Sequence, residues 1–322
     1  MASLITPSVL ILTNERDVSV DWIVRRLRAR SVPYLRLNTE RLPVQTFALD
    51  PVVGSWEWMA RGERFQLADV GAVWYRRPER PILSDSALSP AEERYIADQW
   101  DGVVRGFLSL PARWMNDPNL GQRAESKILQ LSTARNAGFR VPPTLVTNSR
   151  EEALEFISGV ESGAVVKALA SSLIENPDEP SFVFTQQATL DLIQEIEDRD
   201  PGPFILQHRV SGKRDVRVTV VGHHVFAAEL EVSEGPIDWR LADQRDFRSH
   251  DLPVDQQEAC RDLIQRLGLW FGAIDLAVNG DGYWFLELNQ NGEWGWLQAT
   301  VGLPIVDAIV EELLSASAPV QQ

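Results

Sequence analysis

The sequence predicts an α/β chain that closes with an antiparallel sheet (α/β grading into α+β), and three observations carry this expectation. It opens strand, helix, strand; its middle alternates short apolar strands with amphipathic helices; its last third holds two hairpins. Residues 8–14 form a compact apolar strand. In 17–30, Val20, Ile23, Val24 and Leu27 share one helical face, and 34–38 gives the next strand. Trp56-Glu57-Trp58 and Arg64-Phe65-Gln66-Leu67, around Arg61-Gly62-Glu63, read as a hairpin. Residues 71–75 form a buried strand, and 90–110 an amphipathic helix through Tyr95, Trp100, Val103, Val104 and Phe107.

Segment 111–121 is rich in Pro, Asn, Asp and Gly and predicts a boundary. Domains are therefore expected at 1–115, 116–203 and 204–322, with Pro201-Gly202-Pro203 as the second hinge. A helix carrying Lys127, Leu129 and Leu131 stops at Asn136-Ala137-Gly138. Strands at 144–147, 164–168 and 181–185 alternate with helices at 149–158 and 190–199. The last third is expected to hold a hairpin (215–221 and 225–232), an irregular loop (234–252) and a helix (254–267). An acidic hairpin (272–278 and 283–289) and a closing helix (300–314) follow.

Bulk properties narrow the function. At 322 residues, 44% hydrophobic and 24% charged, the chain suits several subdomains around substantial cores. It has no apolar run long enough for a membrane helix and no basic leader before its first strand, so neither membrane span nor signal peptide is expected. With 31 basic and 46 acidic residues, the net charge of −15 disfavours nucleic acid as a partner. The single cysteine, Cys260, excludes an internal disulfide and fits a reducing cytoplasm. Four histidines show no zinc spacing, and His223-His224 reads as a solvated turn.

The chemistry concentrates in the acidic hairpin. Glu287 and Asn289 lie two apart on one strand and share a face, while Trp284, Leu286 and Leu288 are expected on the other. With Asp275 they offer only hard oxygen ligands, suited to Mg²⁺ beside phosphates. A two-residue loop at Gly280-Asp281 pairs Asp275 with Leu286 on the wrong face. A three-residue loop with a bulge at Gly282 is therefore expected. The competing possibility is an acidic hairpin that is merely solvated. Asp215, Arg217 and Thr219 form a polar stripe suited to phosphate, with Val216, Val218 and Val220 behind it. Arg76-Arg77 follows an apolar strand directly and either lines a cleft or pairs with Glu79 or Asp85. Neither a Gly-x-x-x-x-Gly-Lys-[Ser/Thr] loop nor a Gly-x-Gly-x-x-Gly turn is present.

Lys127, Lys167, the segment Phe204-Ile205-Leu206-Gln207-His208-Arg209-Val210, Asp215-Val216-Arg217 and Glu287-Leu288-Asn289 occur in the order of an ATP-grasp ligase. Val73-Trp74-Tyr75-Arg76-Arg77-Pro78, Asn116-Asp117-Pro118, Val141-Pro142-Pro143-Thr144 and Asp238-Trp239-Arg240 resemble the peptide-macrocyclising branch, the graspetide (microviridin-type) ligases. The resemblance implies an ATP-grasp fold with a pre-ATP-grasp βαβ domain, a central α/β domain and a C-terminal sheet domain clamping ATP. It further implies that Lys167 contacts the α-phosphate and adenine, and that Lys127 reaches the phosphates. Gln207, His208, Arg209 and Val210 would form the adenine strand, where a Glu-rich hinge is commoner. Asp215 and Arg217 would lie beside the nucleotide. Arg240 would stabilise the transferring phosphoryl group, and Asp275, Glu287 and Asn289 would hold two Mg²⁺ ions.

The implied activity joins Asp/Glu side chains of a ribosomal precursor peptide to Ser/Thr hydroxyls or Lys amines, after acyl-phosphate activation. The implied partners are the precursor's leader segment, met near 190–199, and a second copy of the chain. Trp56, Trp58 and Trp114 are expected to be exposed enough for that homodimer. Two other functions compete: a RimK-type ligase adding amino acids to a carboxylate, and a catalytically silent nucleotide-binding regulator.

Overall fold

In the computed structural model the described residues are 4–84, 87–160, 162–170, 173–174, 181–182, 185–195, 202–231 and 246–315. Arg240, most of the irregular loop and the end of the 190–199 helix lie outside them.

The opening βαβ expectation is realised in a parallel sheet ordered Tyr34–Asn38, Val9–Thr13, Ala72–Tyr75 and Arg113–Met115. The last strand falls inside the segment expected to be a bare boundary, because Trp114 and Met115 pair beside Val73 and Trp74. Helix Val18–Ala29 buries Val20, Ile23 and Leu27 against this sheet. The C-terminal helix Ile305–Ser315 returns to the same core through Ile305, Ile309 and Val310. It is not continuous with the preceding turns: Gly295–Val301 is a separate helix, ended by Gly302 at φ 78° and by Pro304.

A second sheet runs in the order Leu4–Ile5, Glu63–Gln66, Ser55–Ala60, Thr46–Asp50. Its core overturns the exposure expected of two tryptophans. Trp58 is 0% exposed and stacks on Phe47 with ring centroids 4.9 Å apart, and Trp56 is 8% exposed beside Phe107. Helix Pro90–Gly106 and the following turn cover that face of the hairpin. Trp114 is half-buried.

The central antiparallel sheet is Gln186–Ala188, Ala164–Ala168, Phe204–His208 and Thr144–Thr147. Of the strand expected over 181–185, only Ser181–Phe182 pairs within the described residues. The C-terminal five-stranded antiparallel sheet is ordered Asp246–Ser249, His224–Glu231, Arg214–Val221, Phe271–Asn279, Gly282–Asn289. Helices Lys127–Asn136 and Val254–Arg266 cover one face, where Val216, Val218, Val220, Ile274, Leu276 and Phe285 are buried with Cys260.

Asn116 ties the N-terminal sheet to this C-terminal one. It sits at φ 57°, and its amide donates to the Phe271 and Gln290 carbonyls (both 2.8 Å) and accepts from the Trp270 and Phe271 amides (2.8 and 3.0 Å). Asn tolerates this left-handed backbone better than most residues. Truncating the side chain strands several buried polar groups. Asn116→Ala is expected to lose about 3 kcal/mol in urea unfolding; a loss below about 1 kcal/mol would show these bonds to be dispensable.

Candidate active site

The acidic hairpin brings its carboxylates together, by a route different from the expected one. The loop is the two-residue Gly280-Asp281, with Asn279 paired to Gly282. That register alone would set Asp275 against Leu286. A β-bulge between Asp275 and Leu276 shifts the pairing, so that Asp275 faces Glu287 and Leu276 faces Phe285. The bulge lets two requirements hold at once: the Asn-Gly-Asp-Gly sequence makes a tight turn, and the acids share a face. It also reassigns the apolar residues. Phe285 and Leu288 enter the core, whereas Trp284, opposite Ala277, moves to the acidic face and is half-buried. Leu286, at the bulge, is also only half-buried.

Arg217 lies across the neighbouring strand pair from Asp275 and donates to its Oδ1 at 2.8 Å. Its other terminal nitrogen donates to the Glu293 carbonyl at 3.3 Å. The loop closes this tightly because Gly292 has no side chain: a Cβ there would stand 2.2 Å from Ala273 Cβ and 2.8 Å from the Arg217 guanidinium. Burial pushes Asp275 above the usual carboxylate range; Arg217 opposes this and Glu287 adds to it. Asn289 is exposed at the strand end, and its Oδ1 accepts from the Asn291 amide at 2.9 Å.

Across the cleft, Lys167 donates to Gln207 Oε1 at 2.8 Å, and Gln207 Nε2 donates to Thr144 Oγ1 at 3.0 Å. Desolvation lowers the Lys167 ammonium to about 8, opposed by Glu287 and Asp275 and reinforced by Lys127 and Lys213. Lys127 caps the Ala168 carbonyl at 2.7 Å. The central-sheet lysines and the C-terminal acids therefore feel one another across one cleft. Lys213, paired with Asp215, belongs to this group and was missed from sequence. Its signal was present, since Lys213, Asp215 and Arg217 repeat every second residue along one edge of the hairpin.

The residues expected to form an adenine strand divide. Gln207 lies on the Lys167 side, but the His208 ring packs on Phe156 with centroids 4.9 Å apart, on the helix-covered face. The His208 and Arg209 amides are already bonded to the Pro143 and Gly163 carbonyls (both 2.9 Å). The Val210 amide makes no bond among the described residues.

Among the described residues Arg76 and Arg77 do not pair with Glu79, and Asp85 lies outside those residues. Arg76 is fully buried, 3.0 Å from Asp17 and 3.1 Å from Glu293, and donates to the Asn291 and Gly292 carbonyls. Arg77 reaches Glu293 at 2.9 Å and the Asn291 carbonyl at 3.1 Å. Glu293 also accepts from Ser19 and from the Trp294 and Gly295 amides. Sequence order gave no hint of this latch, because its partners are more than 200 residues apart.

Among the described residues no cluster of three or more His, Cys, Asp and Glu side chains is disposed to hold a metal. The set at issue is two carboxylates and an amide. All its donors are oxygens, and Asp275 and Glu287 are directly paired in a buried setting where a divalent cation relieves their repulsion. These residues fit Mg²⁺. No helix among the described residues is long and apolar enough to cross a membrane.

Comparison with known proteins agrees with this architecture. A family model described as the MvdD pre-ATP-grasp domain matches residues 8–119. The macrocyclase MdnC from Microcystis aeruginosa MRC, solved with precursor peptide MdnA, is similar at TM-score 0.85 and 27% identity, over 97% of this chain and 100% of that one. A RiPP-associated ATP-grasp ligase from Chryseobacterium gregarium, solved with ADP and a leader and core peptide, is similar at TM-score 0.87 and 27% identity. That match covers 97% of this chain and 98% of the other. The tetrahydromethanopterin:alpha-L-glutamate ligase of Methanocaldococcus jannaschii is 24% identical over 225 residues, 67% of this chain and 76% of its own. The chain has an ATP-grasp fold with an N-terminal pre-ATP-grasp domain, and it resembles the peptide-macrocyclising ligases.

Proposed function

We propose that this protein is an ATP- and Mg²⁺-dependent ligase that activates Asp/Glu side chains of a precursor peptide and joins them to Ser/Thr hydroxyls or Lys amines, forming macrocycles. The observation that carries this is the Asp275–Glu287 pair facing Arg217 on one side and Lys167 on the other. The near-complete likeness to two peptide-bound ligases supports it.

A carboxylate is a poor electrophile in water. Transfer of the γ-phosphoryl group from ATP to a carboxylate oxygen breaks the bond to ADP and makes an acyl phosphate. A hydroxyl or amine then attacks the carbonyl carbon, phosphate departs with the bonding pair, and the nucleophile's proton passes to solvent. Each ring thus removes one water from the peptide. The chain supplies position and charge neutralisation rather than a covalent nucleophile. Lys167 and Lys127 would hold the nucleotide phosphates, Gln207 would fix the Lys167 ammonium, and Val210 would read adenine. Arg217, steadied by Asp275 and the Glu293 carbonyl, would face the transferring group, joined by Arg240. Asp275, Glu287 and Asn289 would hold Mg²⁺, which neutralises phosphate charge. Precursor leader contacts are assigned to 190–199 and the hairpin after it, and the enzyme is expected in the cytoplasm as a homodimer. Trp56 and Trp58 contribute nothing to such a dimer face, being buried.

Incubating small Ser/Thr/Lys- and Asp/Glu-rich peptides encoded beside the gene with enzyme and Mg-ATP tests this reading by intact mass. Loss of water together with ADP formation is expected. A mass gain equal to an added amino acid would instead establish the RimK-type activity, the second reading favoured by the glutamate-ligase relative. Nucleotide binding with neither change in any such peptide would point to the silent clamp, against which the complete acid-acid-amide set stands.

The lowered Lys167 adds a pH prediction. Bound phosphates need the ammonium form, so affinity for Mg-ATP should fall as pH rises through about 8, measured by calorimetry. Folding lowers this lysine from its ordinary 10.5, so its charge opposes folding below 8 and ceases to do so by 10.5. Lys167→Met should therefore raise the melting temperature of the ligand-free protein at neutral pH while abolishing nucleotide binding. An affinity that ignores pH across this range would remove Lys167 from the site.

A further inference from the structure

A cavity of about 580 Å³ lies outside the nucleotide cleft, between helix Pro90–Gly106, the end of strand Ala72–Tyr75 and helix Pro118–Ala124. Its floor is Tyr75, Leu108 and Trp114, all half-buried, and its rim includes Arg105 and Asn119, both exposed. Its inner wall is formed by Asn291, whose amide donates to the Oδ1 of Asn289. The wall therefore stands within two residues, at most about 7 Å of chain, of the proposed metal ligand.

Two polar groups here lack partners. The Arg105 side chain makes no hydrogen bond or ion pair among the described residues, although Asp101 precedes it by one helical turn. The Asn291 Oδ1 is buried without a hydrogen bond. Asp101 and Glu125 also line the cavity, so Arg105 is its one cation among the described residues and matches a single carboxylate rather than a polyphosphate. The volume suits several side chains rather than one amino acid.

We propose that this cavity is the substrate's docking pocket: it takes a partly apolar segment of the peptide that carries one carboxylate, with that carboxylate on Arg105 and an apolar neighbour on Tyr75, Leu108 and Trp114. This rests on the peptide-ligase reading. A pocket whose wall, Asn291, lies two residues from Asn289 holds the chain close to the carboxylate being activated, which is the positioning such an enzyme must supply.

The test uses the full-length protein with ADP and Mg²⁺ and fluorescein-labelled copies of the acidic Ser/Thr/Lys peptides encoded beside its gene. Anisotropy is read for wild type, Arg105→Glu and Asn119→Trp, two substitutions at exposed positions that spare the fold. Both should weaken the best-bound peptide by about tenfold or more. The KM for ATP should stay unchanged, and the Arg105 effect should vanish for a peptide with its acids changed to amides. Equal peptide affinity in all three proteins, or no binding by wild type, overturns the pocket. If Arg105-dependent binding occurs without water loss or ADP, the ligase reading falls and the pocket stands. If water is lost with peptide KM unchanged in both variants, the pocket falls and the ligase reading stands.

Discussion

Asp275→Asn and Glu287→Gln should each lower ADP formation by about 10²- to 10³-fold without loss of folding stability. The two readouts together separate a functional from a structural role. In Asp275→Asn the new amide keeps an oxygen for the Arg217 guanidinium, which in the wild type lies 2.8 Å from Oδ1, so the fold loses little. Either substitution also removes the repulsion between two carboxylates held opposite each other across the strands. Burial already pushes Asp275 upward, so neutralising the pair should leave the ligand-free protein as stable as wild type, or more so. Lost activity with retained stability, read by coupled ADP assay and thermal melting, is what a phosphate-and-metal site produces. Wild-type turnover in either variant would show that the carboxylates are decoration on a hairpin.

Arg76→Met should cost about 3–5 kcal/mol, the largest stability effect expected in the molecule. The guanidinium is fully buried and is the only cation within salt-bridge reach of Asp17, itself 1% exposed at its side chain, among the described residues. Met fills similar volume but leaves Asp17 charged and unpaired, and frees the Asn291 and Gly292 carbonyls. Arg76→Lys should rescue little, because one ammonium cannot span Asp17, Glu293 and two carbonyls. Adding Asp17→Asn to Arg76→Met should recover part of the loss, since it removes the stranded charge. Burial would raise Glu293, but Arg76, Ser19 and Arg77 outweigh it and hold its carboxyl below the usual range. Stability carried by this latch is therefore present above the ordinary carboxylate pKa and lost as pH falls through the lowered value. Guanidine unfolding across that acidic range checks both statements. A flat stability profile, or a cost below about 1 kcal/mol for Arg76→Met, would contradict them.

Much of the site was legible because it is local. The alternation Asp215-Val216-Arg217-Val218-Thr219 fixes which side chains share a face, and the structure buries Val216 and Val218 and turns Arg217 to Asp275. Glu287 and Asn289 followed from the same period. The parity between the two acidic strands was not legible in its mechanism. A bulge at the Asp275 pairing satisfies a tight turn and a shared acidic face together, and the local sequence does not announce where an extra residue is absorbed. The tryptophan error has a similar source. Trp56 and Trp58 alternate as an exposed hairpin face would, but helix Pro90–Gly106 lands on that face, and only long-range packing decides this.

Residue type and short-range periodicity were enough to give the α/β class, the order of lysine, strand, arginine and acids, and the oxygen-only donor set. Long-range packing was needed to show that Arg76 and Arg77 serve Glu293 rather than a neighbour, that Lys167 and Glu287 share one cleft, and that Asn291 links the acidic strand to a second cavity. The difference lies in desolvation. Whether a charge pairs, shifts its protonation or waits for a ligand depends on which distant segments exclude water around it, and chain order does not encode that.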